Sequence, residues 1–137
     1  VIAAYQQLGF KIVVDPSVNY SGYFDARSRS ITMKQIDDSV YHELGHFLAF
    51  IAGNADKTAS FQSIFAAEKA NVTAFNKAYV TQNASEYFAE SVKDYILNNA
   101  SLKSTRPQTY AAVQNALNQI TDAQIAKIQK IYGAFWN

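Results

Sequence analysis

His42, Glu43 and His46, in the run His42-Glu43-Leu44-Gly45-His46, have the types and spacing to hold a metal ion and use it. On a helix, residues four apart lie on one face a turn apart, so both imidazoles can reach the same ion. Two neutral imidazoles and a third protein ligand leave a tetrahedral zinc ion one open position, which water fills. The carboxylate next to the first histidine points at that water. Chance is a poor rival explanation. Two histidines scattered over 137 residues fall four apart about once in seventy times, and a Glu after the first brings the odds to the order of one in two thousand. The chain has no other histidine.

With no further His and no Cys, the third ligand has to be an acid, and there are only four Glu. Glu43 is already used, and Glu68 sits on a helix with an ordinary apolar stripe, where a solvated surface position is expected. That leaves Glu86 and Glu90, in Ser85-Glu86-Tyr87-Phe88-Ala89-Glu90, again four apart and on one helix face away from Phe88, Val92 and Tyr95. One can bind the metal while the other accepts the free ring N–H of a ligating histidine. The alternative is a solvated helix edge, with Glu86 completing a capping box with Asn83.

These groups need elements to position them. Ile2, Tyr5 and Leu8 have helical spacing that Gly9 ends, and Phe10 to Val14 reads as a buried strand closed by Asp15-Pro16. Tyr20 to Phe24 and Ser30 to Met33 flank the polar turn 25–29 and read as a hairpin. From Asp38 the pattern is helical to about Ala52, with Asp37, Asp38 and Ser39 as caps and early acids and Gly53-Asn54 as the stop. Val40, Tyr41, Leu44, Phe47, Leu48 and Ile51 make that helix apolar on nearly every other face, so it belongs in the core. Burying two His and a Glu there needs compensation, which a metal with ordered partners provides. Gly45 costs about 1 kcal/mol in a helix interior, for which a close neighbour and neutral drift are equally good explanations.

Further helices are expected around Phe61 to Glu68, Phe88 to Ile96, Tyr110 to Ile120 and Ile125 to Phe135, while 71–81 has no clear period. Pro107 fits the first turn of one helix, and Thr121 with Gln124 fits a capping box for the last.

Composition narrows the function classes. A chain of 137 residues predicts one domain. With 49% apolar residues it has ample material for a core, and a net charge of +1 without charge blocks argues against nucleic acid or an anionic membrane as partner. Absence of Cys excludes disulfides and thiolate chemistry. The longest apolar run, Phe47 to Ala52, is far short of a membrane span. Opening on Val1 inside a helical pattern, the chain reads as a mature form or excised domain whose export signal would already be lost. No heptad or large apolar repeat demands a partner, so a monomer is expected.

The motif His42-Glu43-x-Gly45-His46, followed by Glu86-Tyr87-Phe88-Ala89-Glu90 with Tyr79 seven residues before Glu86, resembles the zinc protease domain of anthrax lethal factor and the related Pro-Pro endopeptidases of Gram-positive bacteria. The hairpin carrying Gly22-Tyr23-Phe24-Asp25 and the helices after Glu90 fit the same layout. The resemblance implies a zincin-like α+β fold with a small N-terminal sheet, an active-site helix and a helical C-terminal half. It implies zinc ligands His42, His46 and Glu86, Glu43 as base and Tyr79 as the hydroxyl that stabilises the reacting carbonyl. In the wider group of zinc proteases with a downstream Glu ligand, an acid one turn later bonds the first histidine; here that position is Glu90. It further implies a secreted zinc endopeptidase acting on a protein or peptide bound in extended form. The edge strand, either Tyr20 to Phe24 or Ser30 to Met33, could hold such a substrate. The rival is a catalytically silent, metal-stabilised binding or targeting module of a toxin-like protein, against which intact Glu43 argues. In another compact zinc peptidase with a Glu ligand, Tyr79 would be irrelevant.

Overall fold

The structure, a computed structural model, describes residues 2–74 and 76–136. A short helix α1 (Ile2–Gln7) leads through Gly9, at φ 80°, into three four-residue strands, β1 (Lys11–Val14), β2 (Gly22–Asp25) and β3 (Ser30–Met33). Strand order is β1-β3-β2, with β1 parallel to β3 and β2 antiparallel to it. The 25–29 turn closes because Asp25 Oδ1 accepts from the Arg27 amide at 2.9 Å and Arg29 takes the left-handed conformation, φ 55°.

Eight helices are described in all. Those after the sheet are α2 (Ser39–Ile51), α3 (Ala59–Glu68), α4 (Lys77–Val80), α5 (Ala84–Leu97), α6 (Asn99–Thr105), α7 (Pro107–Asn118) and α8 (Asp122–Trp136). The result is the expected α+β arrangement with a helical C-terminal half. No helix among the described residues is long and apolar enough to cross a membrane.

Two apolar clusters hold it together, and α2 lies between them. Tyr5, Phe10, Ile31 and Met33 pack with Leu44, Phe47 and Ile51 of α2 and Ile125 and Ile128 of α8. On the other side, Leu48 and Ala49 of α2 pack with Phe61, Val80, Tyr87, Phe88 and Val113. Burying such side chains contributes roughly 1.5–3 kcal/mol each before the entropy cost of ordering them. This two-sided burial is what the apolar girdle of α2 foretold.

Four expectations need correction. The strand read from Phe10 to Val14 is not buried: Phe10 lies in the core, but Ile12, Val13 and Val14 are 45–50% exposed, because β1 is an edge strand. Ser30 to Met33 is not the edge strand of the hairpin; β3 is central, and β2 has the free edge. Asp37 rather than Asp38 supports the start of α2, its Oδ1 accepting from the Ser39 amide at 3.0 Å while Asp38 makes no side-chain cap.

Glu68 is not solvated. It is buried and accepts from the Gln108 amide at 3.1 Å and from the Thr109 amide and hydroxyl at 2.8 and 2.7 Å. It thus satisfies donors at the start of α7, where Pro107 has none to offer. The segment without clear period begins at the end of a 3-10 turn (Lys69–Asn71) and holds α4, and α6 was not foreseen.

Candidate metal centre

The His-bearing helix α2 and the Glu-bearing helix α5 run against each other with almost no gap. They are in tight contact at Gly45, where an added Cβ would lie 2.6 Å from the Ala89 carbonyl oxygen and 2.7 Å from its Cα. Ala89 stands between Glu86 and Glu90 in sequence. The glycine therefore lets one turn of α2 meet the acidic turn of α5, which gives a physical reason for its cost in the helix.

Across this contact, His42 Nε2 is 2.8 Å from Glu86 Oε2 and His46 Nε2 is 3.4 Å from Glu86 Oε1. His42 Nδ1 is 2.9 Å from Glu90 Oε1. One ligand atom from each of His42, His46 and Glu86 lies within 4.8 Å of the others. Tetrahedral zinc with ligands at about 2.0–2.2 Å places neighbouring ligands about 3.4 Å apart, and the two histidine-to-Glu86 separations, 3.4 and 2.8 Å, lie at that spacing and below it. The chemistry fits as well: two imidazoles and a carboxylate are ordinary zinc ligands, and Glu90 fixes the orientation of the His42 ring through the other nitrogen.

Local sequence explains each placement. Asn83 caps α5, its Oδ1 accepting from the Glu86 amide at 2.8 Å. Only half of a capping box forms, because the Glu86 side chain turns towards the histidines instead of back to Asn83. Tyr79 comes from α4, with its ring centroid 6.3 Å from that of His42. Its hydroxyl pKa is raised, by partial burial and then by the negative charges of Glu86 and Glu43.

Glu43 is buried, and a cavity of about 170 Å³ brings it together with His46, Tyr79 and Glu86 beside Gly22, Tyr23 and Phe24 of β2. Gly22 makes room for it: a Cβ there would lie 2.9 Å from Glu43 Cγ and 3.0 Å from Met33 Sδ. This role of Gly22 was missed in the sequence, although a glycine inside a strand commonly marks such an approach. Phe24 was likewise missed as a wall; its ring lies nearly parallel to His46, 17° between planes and 6.4 Å between centroids.

Charge is balanced by hydrogen bonding. Burial pulls the His42 pKa down, but its bonds to Glu86 and Glu90 outweigh this and bring it from 6.5 up to about 9. Burial raises the Glu86 and Glu90 carboxyls, yet their hydrogen bonds to the histidines leave both below the usual range, Glu86 far below. Glu43 is raised, chiefly by burial, against the pull of His42 and His46. One site thus contains carboxylates held as anions and one made a stronger base.

Residues 18–116 match the family model described as "Anthrax toxin lethal factor, N- and C-terminal domain". The chain belongs to this family. Among curated proteins, one relative is the Pro-Pro endopeptidase of Clostridioides difficile (strain 630), 41% identical over 78 residues. The match covers 54% of this chain and 34% of the relative, so the chain spans about a third of that protein's length. This member of the lethal factor family is therefore related to a protease, and its matched segment includes α2, α4 and α5, where the His, Tyr and Glu residues stand.

Proposed function

We propose that the protein is a zinc-dependent endopeptidase with His42, His46 and Glu86 as metal ligands, acting as a single catalytic domain. The observation that carries this is the convergence of those three donors beside one cavity that also holds Glu43 and Tyr79. Bound zinc supplies Lewis acidity at such a site and brings the pKa of a water towards about 7.

The chain's own residues divide the remaining work. Glu43, with a carboxyl pKa raised by burial, takes the proton of the attacking water and returns it to the departing amine. The Tyr79 hydroxyl donates to the carbonyl oxygen as it becomes negative. Glu90 accepts from His42 Nδ1 and holds Nε2 on the side of Glu86, where it would serve as a zinc ligand. The free edge of β2, beside the same cavity, offers main-chain groups to a peptide in extended form. Family membership supports action outside the cell on a protein substrate, and the name of the C. difficile relative makes paired prolines the first sequences to offer.

The test is cleavage of a diverse peptide library that includes Pro-Pro sequences, read by mass spectrometry, with zinc-loaded Glu43→Ala protein as blank. Bonds cut only by the wild-type chain support the peptidase. A zinc-loaded wild type that cuts nothing beyond the blank overturns it and favours the metal-stabilised binding module.

A further inference from the structure

A second cavity, of about 180 Å³, adjoins the metal centre and shares Phe24 and His46 with it as a common wall. Its apolar side is Phe24 and Phe50, and its polar side is Asn54, Lys57 and Asp56. Asp56 has no part in the chemistry proposed above, yet it is only 5% exposed. Ser85 Oγ donates to its Oδ2 at 2.7 Å, and among the described residues Oδ1 has no hydrogen-bond partner. No cation among those residues comes within ion-pair distance of it; Lys57, its neighbour in the chain, is exposed and lines the same cavity without pairing with Asp56.

A buried carboxylate lining a cavity is tolerable while water reaches it and costly once a ligand shuts the water out. A peptide whose side chain fills this cavity with methyl groups alone would leave Asp56 with Ser85 as its one donor and Oδ1 unpaired. A long aliphatic stem would lie against Phe24 and Phe50, and a cationic end would meet both the carboxylate and the aromatic faces.

We propose that this cavity is a substrate subsite that selects a lysine or arginine side chain close to the scissile bond, with Asp56 as its recognition group. The proposal rests on the peptidase reading for the word substrate. It extends that reading by assigning a side-chain preference to a residue outside the metal centre. Ser85, immediately before Glu86 in α5, holds one carboxylate oxygen of Asp56 and leaves the other without a hydrogen bond among the described residues.

The experiment compares two peptides, acetyl-Ala-Ala-Lys-Ala-Ala-amide and its norleucine counterpart, binding to zinc-loaded Glu43→Gln protein and followed through the amide NMR signals of Asn54, Asp56 and Ser85. The lysine peptide should shift these signals and bind about 10-fold more tightly or better, and Asp56→Asn should erase that difference while zinc content stays unchanged. Equal behaviour of the two peptides overturns the subsite, and this comparison needs no variant at Asp56. A loss of zinc with Asp56→Asn and no lysine preference in the protein with Asp56 intact would make Asp56 a support for α5 and likewise overturn it.

The library experiment separates the two readings. Cuts enriched about 10-fold near Lys or Arg, with enrichment lost in Asp56→Asn and other cuts retained, support both. Cuts without enrichment overturn the subsite and leave the peptidase. Lysine-selective binding with no cuts beyond the blank leaves the basic-side-chain site and overturns the peptidase.

Discussion

Gly45 and Ala89 are pressed so closely that a single methyl group between them would lie 2.6 Å from the Ala89 carbonyl oxygen. The obstacle is backbone, which cannot swing aside as a side chain would, so Gly45→Ala has to separate α2 from α5. Overpacking of this kind costs about 1–3 kcal/mol, and the helix propensity regained is about 1 kcal/mol. A net loss of up to about 2 kcal/mol in denaturant unfolding is expected, together with weaker zinc binding. A variant of native stability that holds zinc as tightly as the parent would show that this contact does not set the helix spacing.

Tyr79 is 53% exposed on the short helix α4, so its side chain contributes little to the core. Tyr79→Phe should leave folding and zinc content as they are and reduce kcat by about 100-fold to 1,000-fold with KM nearly constant, as removal of an oxyanion donor does. Normal turnover would assign the oxyanion to other groups.

Glu86 and Glu90 stand one turn apart but meet different nitrogens of His42. Glu86→Ala should lose most zinc at modest metal concentration, because a ligand is gone. Glu90→Ala should weaken zinc by about 10-fold to 100-fold, because only the ring's orientation suffers. Metal analysis after dialysis against graded chelator distinguishes them, and an empty site in Glu90→Ala alone would reverse the two roles.

Both ring nitrogens of His42 face carboxylate oxygens, Nδ1 at 2.9 Å from Glu90 and Nε2 at 2.8 Å from Glu86, an arrangement that favours the imidazolium when zinc has been removed. Its pKa stands above the ordinary 6.5, so the stability it contributes is fully present below about pH 6.5 and is lost as pH rises through about 9. Glu86 is shifted the other way and stabilises the fold above the ordinary carboxylate range, losing that effect only in stronger acid. Chelator-treated protein should thus be less stable at pH 9.5 than at pH 6, the loss following His42 as it gives up its proton. Zinc uptake near pH 7.5 should release about one proton, seen as a dependence of calorimetric heat on the buffer's ionisation enthalpy. Heat independent of buffer would mean that His42 is neutral before zinc binds.

The half of the site that rests on spacing was open to view in the sequence. Residues 42 and 46 share a helix face by geometry alone, and so do residues 86 and 90; the shortage of other donors then paired the two helices. What lies opposite a helix face was not open to view. Glu68 looked solvated because its own stripe was ordinary, yet its partners at Gln108 and Thr109 arrive from about forty positions away. Asp56 gave no signal for the same reason, since its relation to Ser85 and the cavity comes from packing. The apolar run 11–14 suggested burial because β-branched residues favour strands whether or not a layer covers them. Gly45 carried a signal that could be read either way until Ala89 stood next to it.

The position of α2 between two apolar clusters has a consequence for assembly. His42 and His46 share a short helical stretch, but Glu86 reaches them only after the helical half has packed against α2, and Gly22 makes room for Glu43 only after the sheet has packed on its other side. A half-folded chain offers a dispersed set of weak donors in place of a site. On the proposed zinc reading, tight metal binding would therefore report that both halves have packed against α2.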